Sequence, residues 1–121
     1  MRERLPNRRH NERRQFAWRA PDGSVHLFQV DVGFYPDGRA GEVFASGPKT
    51  GSVLRAVIED GCVMASHLAQ LGMSFESQAL ALGRQADGTP ASPMGGILEL
   101  AAKIASHVIA DAAGKPIETP A

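Results

Sequence analysis

A chain of 121 residues, 43% of them hydrophobic, is long enough for one domain that buries a modest core without disulfides or a structural metal. Its single cysteine, Cys62, excludes an intramolecular disulfide and any multi-cysteine zinc site, and fits a reducing, cytoplasmic compartment. No run approaches the ~20 apolar residues needed to cross a bilayer, and the N-terminus lacks an apolar stretch of signal-peptide length, so no membrane partner is expected.

Zero net charge conceals an asymmetry. Residues 1–14 hold six arginines against two glutamates, whereas the remainder holds seven basic against eleven acidic side chains. Met1 to Arg14 has little apolar content besides Leu5, and Pro6-Asn7 breaks any helix, which predicts a flexible or extended basic arm over 1–14. Such an arm meets phosphates or folds back onto its own acidic body.

Strand signals begin at Gln15, with Phe16 and Trp18 alternating against Ala17 and Arg19. Pro21-Asp22-Gly23-Ser24 is a hairpin turn. Val25 to Tyr35 is the longest strand: His26, Phe28, Val30, Val32 and Phe34 share a core face, opposite Leu27, Gln29, Asp31, Gly33 and Tyr35. Pro36-Asp37-Gly38 turns the chain again, and Ala40 to Ser46 places Val43 and Ala45 opposite Glu42 and Phe44. The elements predict a three-stranded antiparallel meander with one face needing cover.

Helices supply the cover. Ser52 caps a helix running to Leu71, in which Leu54, Val57, Ile58, Gly61, Cys62, Ala65, Leu68 and Ala69 form the apolar stripe and Arg55, Glu59, Ser66 and Gln70 the wet side. Gly61 within it predicts a tight helix crossing or a bend. Gly72 stops this helix, and Ser74 caps a short one over 75–82. Residues 83–92 read as an exposed loop. A last helix starts from Ser92 and Pro93 and buries Ile97, Leu98, Ala101, Ile104, Ala105 and Val108. The expectation is an α+β fold, the meander covered by two or three helices, as one domain over 15–113 with a frayed tail at 114–121.

The chemistry-bearing residues point to no catalytic set. His10, His26, His67 and His107 lack the spacing of a metal site, and Cys62 in an apolar stripe reads as a structural thiol. The better constellation is an anion or nucleotide site. Gly47-Pro48-Lys49-Thr50-Gly51-Ser52 leads into a helix N-terminus, whose free amides and dipole favour a phosphate or carboxylate within reach of Lys49, Thr50 and Ser52. The Walker spacing is absent, and a loop that caps its helix explains the same residues. Arg84 and Ser92, around the start of the last helix, form a second candidate of the same kind.

Arg4-Leu5-Pro6-Asn7-Arg8-Arg9, Phe34-Tyr35-Pro36-Asp37-Gly38-Arg39-Ala40-Gly41-Glu42-Val43-Phe44, Lys49-Thr50-Gly51-Ser52 and Ala91-Ser92-Pro93-Met94-Gly95-Gly96 together resemble the TSCPD domain family over residues 2–110. Members of that family form the small C-terminal domain of adenosylcobalamin-dependent ribonucleotide reductases and also occur as short stand-alone proteins. The motif that names the family, Thr-Ser-Cys-Pro-Asp, reads Pro90-Ala91-Ser92-Pro93-Met94 here. It keeps the proline and lacks the cysteine, so no thiol relay runs through that loop.

The resemblance implies an accessory or regulatory module of deoxyribonucleotide metabolism rather than a reductase in its own right. The ribonucleoside-diphosphate reductase activity attached to the family would belong to a partner, and adenosylcobalamin would enter only through that partner, with no cofactor or metal held by this chain. The expected partners are a ribonucleotide reductase large subunit, docked through Arg4, Arg8 and Arg9, or a second copy of the chain. The alternative is a nucleic-acid or nucleotide binder that lays the basic arm along phosphates.

Overall fold

The computed structural model describes residues 2–47 and 52–114. Three strands, β1 (Asn11–Arg19), β2 (Val25–Phe34) and β3 (Ala40–Ser46), are followed by three helices, α1 (Val53–Gln70), α2 (Phe75–Ala81) and α3 (Pro93–Gly114). The sheet is an antiparallel meander in the order β1-β2-β3, so the fold is the expected α+β arrangement. The expected frayed tail lies, beyond Gly114, outside the described residues.

Both hairpins close through the same local chemistry. Asp22 and Asp37 each accept the amide of the residue two positions on, Ser24 at 2.8 Å and Arg39 at 3.0 Å. Gly23 and Gly38 adopt φ of 89° and 94°, where a side chain would be strained. A third copy follows at Asp87-Gly88-Thr89, with an amide bond of 3.0 Å and φ of 88° at the glycine. Residues 83–92, expected to be a plain loop, therefore form a miniature hairpin closed by a bridge between Arg84 and Pro90. Trp18 of β1 fastens it by donating from Nε1 to the Pro90 carbonyl at 3.1 Å.

Pairing of β1 with β2 runs from Asn11↔Gly33 to Arg19↔Val25, so the strand starts four residues before the expected Gln15. Residues 11–14 carry charged or amide side chains on both faces, which hides the strand from any hydrophobic pattern. The in-register Arg13–Asp31 pair at 2.7 Å helps to hold them there.

Phe28, Val30, Val32 and Phe34 of β2 and Val43 of β3 are buried on the inner face. There they meet Ile58, Cys62 and Ala65 of α1, Phe75 and Ala79 of α2, and Ile97, Leu98, Ala101 and Ile104 of α3. Each Val, Leu, Ile or Phe side chain among them contributes about 1.5–3 kcal/mol by leaving water. Helix α1 lies over β3, while α3 crosses β1 and β2 and carries α2. Close approach at two glycines sets these crossings: a Cβ on Gly61 would lie 2.8 Å from the Met94 sulfur, and one on Gly96 would lie 2.3 Å from the Phe16 ring. Ser52, Ser74 and Ser92 each accept an N–H of their helix at 3.1 Å.

The buried stripe of α1 is rotated from its expected position. Ser66, assigned to the wet side, is buried. Its hydroxyl donates to the Val43 carbonyl at 3.2 Å and accepts the Val43 amide at 2.9 Å, which satisfies a polar group inside the core. Val57 and Leu68, assigned to the core, are 56% and 41% exposed.

Candidate functional site

Because side chains alternate along a strand, the outer face of the sheet reads as rows across it: Asn11–Gly33–Glu42, Arg13–Asp31–Phe44, Gln15–Gln29–Ser46, Ala17–Leu27 and Arg19–Val25. Among the described residues only the first row is roofed, and the roof is the N-terminal arm.

The arm is pinned at several points. The Glu3 amide donates to the Gln70 carbonyl at the end of α1, 3.0 Å away, and the Tyr35 hydroxyl donates to the Glu3 carbonyl. Arg39 reaches the Glu3 carboxylate at 2.9 Å, and its guanidinium lies 4.6 Å from the Tyr35 ring centroid. Burial beneath the arm, together with the Glu3 carboxylate, pushes the Tyr35 phenol up from its ordinary value.

Further along, Arg9 forms an ion pair with Glu42 and also donates to the Pro6 carbonyl. Glu42 is a buried carboxylate, 6% exposed, and the arm supplies its counter-charge. Two glycines make the space. A Cβ on Gly33 would lie 2.2 Å from Glu42 Oε2, and one on Gly41 would lie 2.6 Å from the Tyr35 ring and 3.0 Å from the Leu5 side chain. The strap thus consists of Glu3, Leu5 and Arg9 set into a socket of Gly33, Tyr35, Gly41, Glu42 and Arg39. The available sequence signal was a glycine on each of two adjacent strands, which often marks a place where another segment comes close.

Docking changes what the arm offers to a ligand. Arg9, Arg13 and Arg14 are paired with Glu42, Asp31 and Glu12 respectively. Arg4 and Arg8 are exposed and make no ion pair among the described residues. Of the three expected docking arginines, two therefore face solvent and the third holds the strap.

Beyond the strap the outer face carries apolar groups. Leu27 is 70% exposed, and Val25 and Phe44 are close to half exposed. An open groove runs here between Gln15, Ala17, Leu27, Gln29, Ser46 and Arg55, and the Arg55 guanidinium on its wall is paired with Glu59 at 2.7 Å.

The expected anion residues fall at two helix starts, and the structure describes only part of the first. Lys49, Thr50 and Gly51 lie outside the described residues. Ser52 and Ser92 cap different helices, α1 and α3. Arg84 lies in a second groove, between α2 and α3, lined by Leu80, Glu99, Lys103 and His107. There it pairs with Glu99 at 2.6 Å and donates to the Gly88 carbonyl at 3.1 Å. Cys62 is 1% exposed, and burial pushes its thiol up to about 11, a poor nucleophile at neutral pH. Among the described residues no three His, Cys, Asp or Glu side chains are grouped to hold a metal ion, and no helix is long and apolar enough to cross a membrane. Compared with known proteins, the chain matches no family model, no curated protein and no solved structure.

Proposed function

We propose that the chain is a non-catalytic accessory module that binds a protein partner across the outer face of its sheet, beside the strapped arm. The observation that carries this reading is the part of that face that no described residue roofs: exposed Val25, Leu27 and Phe44 form an apolar centre, Arg19 pairs in register with Val25 at its border, and Arg13 and Arg55 beside it are paired with Asp31 and Glu59. An apolar centre with a rim of largely paired charges suits a protein surface with an apolar anchor and a polar border. The TSCPD resemblance gives the class of partner, an adenosylcobalamin-dependent ribonucleotide reductase, and the cofactor belongs to that partner. The chain would then serve deoxyribonucleotide supply by regulating or docking onto the reductase.

The alternative, nucleic acid or a nucleotide laid along the arm, is weaker on charge. Three arm arginines are already neutralised by carboxylates of the chain itself, which reduces the counterion release that drives phosphate binding.

The test is a pull-down from the native cell with the intact chain as bait, at moderate and high salt and with nuclease treatment. The expected result is a nuclease-resistant reductase, lost with Leu27→Asp and weakened with Arg8→Ala. Recovery only of nucleic acid, released at high salt, would overturn the partner reading and establish the alternative.

A further inference from the structure

Helix α1 is apolar on two opposite sides. Its inner side is the core stripe of Ile58, Cys62 and Ala65. On the other side Val53, Val57, Met64, Leu68 and Leu71 are 81%, 56%, 65%, 41% and 59% exposed. Val53, Val57, Asp60, Met64, His67 and Leu71 follow one another at alternating steps of four and three residues, the spacing of a helix-pairing seam. Isolated exposed aliphatics are ordinary, but a continuous stripe along a whole helix marks an interaction surface.

The two polar members of the seam indicate its occupant. Asp60 and His67 are both exposed, and they occupy equivalent seam positions one heptad apart. If a second copy of α1 lay parallel and in register, Asp60 would face Asp60, placing carboxylate against carboxylate. If the second copy lies antiparallel about a two-fold axis, Val53 meets Leu71 of the other copy, Val57 meets His67, and Met64 meets Asp60. Asp60 and the other copy's His67 then sit about one helical turn apart along the seam. The imidazole can donate to the carboxylate in either protonation state, and symmetry makes this pairing twice. Antiparallel packing also opposes the helix dipoles favourably. An 18-residue helix is about 27 Å long, so the seam offers about five turns of contact.

We propose that the outer stripe of α1 is a self-association surface, on which two copies of the chain pair antiparallel about a two-fold axis through the middle of the helix. The surface is the side of α1 turned away from the sheet, so the dimer leaves the outer sheet face of each copy free for a different partner. The pairing does not depend on the accessory reading, and the two fail separately.

Sedimentation equilibrium of the intact chain tests it. The expected mass is twice 12.9 kDa at about 100 μM protein. Met64→Asp, at an exposed position, is expected to raise the dissociation constant at least about 30-fold, the loss of one central anchor, with an unchanged circular dichroism spectrum and, at dilutions where both proteins are monomeric, an unchanged urea midpoint. Asp60→Lys and His67→Glu are each expected to weaken the dimer, and the double exchange to restore it. A monomer at that concentration, a dimer indifferent to Met64→Asp, or a double exchange no better than the single ones would each overturn the proposal.

Discussion

The two faces of the sheet are covered in different ways. The inner face is sealed chiefly by shape: Phe28, Val30, Val32, Phe34 and Val43 are at most 3% exposed and pack against hydrophobic side chains from three helices, with the Ser66 hydroxyl satisfied on the Val43 backbone. The outer face is covered at one end by a single extended segment, and that cover depends on charge. Arg9 neutralises Glu42 there, and glycines make room for Glu42 and for the Tyr35 ring. Apolar burial gains free energy with every atom removed from water, wherever it comes from. A buried carboxylate gains only if its one partner stays in place. The inner face is therefore the source of stability, and the outer face is the part whose cover is held by few contacts.

The sharpest way to break this comparison is to remove one large side chain from each face. Phe34, 1% exposed, sits in the core, and Phe34→Ala is expected to cost about 3–5 kcal/mol, read as a lowered urea midpoint. Leu27, 70% exposed, is expected to change stability by no more than about 0.5 kcal/mol when replaced by Ala. Similar losses at both positions would mean that the two faces are equally closed.

The strap comes next in size. Arg9→Ala leaves Glu42 buried without a counter-charge, and a fully buried pair broken this way costs about 3–5 kcal/mol. The Arg9 side chain is 28% exposed, and water reaching the site lowers the expectation to about 2 kcal/mol. Adding Glu42→Gln to Arg9→Ala should recover part of the loss, because the remaining group is neutral. No recovery would show that the arm contributes by packing rather than by charge.

The glycine socket gives a finer test. Gly33→Ala places a methyl group where Glu42 lies, at an expected cost of about 1–3 kcal/mol. In a Glu42→Ala background that clash disappears, so a double-mutant cycle should show coupling of about 1 kcal/mol. Additive effects would mean that Gly33 is needed for a reason other than Glu42.

Legibility in the sequence follows the same division. Alternation in β2 marked the inner face correctly from Phe28 to Phe34, because a single row of apolar residues against polar ones admits one orientation. The helix starts at Ser52, Ser74 and Ser92 were legible for a similar reason, since capping is chemistry local to the helix end. The rotation of α1 was not legible. Ser66 becomes a core residue only because the Val43 backbone is there to receive it, and a contact across 23 residues leaves no local mark. The strap was legible only in outline: six arginines in fourteen residues before an acidic body admit an arm folded back onto its own chain, but nothing local names Glu42 as the carboxylate beneath Arg9. Arg84 was read against its own loop, whereas its carboxylate partner, Glu99, lies on another element.

The smallest expected effect lies at the rims that both faces share, in the three Asp-Gly turns. Hydrogen bonds hold the carboxyls of Asp22, Asp37 and Asp87 below their ordinary value of 3.8. The leading donors are the Ser24 hydroxyl for Asp22, the Arg39 amide for Asp37 and the Thr89 hydroxyl for Asp87. A carboxyl lowered on folding adds stability that is fully present above 3.8 and is lost as pH falls through the lowered values, where the folded state must also take up the proton. All three groups are exposed, so each contribution is small and screened by solvent. Urea midpoints measured from about pH 6 down to about pH 2 should decline gently below pH 4. Asn at all three positions keeps an acceptor for the turn amides without a titrating group, and should remove that part of the decline. If the triple variant declines as steeply as the parent, the three turns do not carry the acid sensitivity.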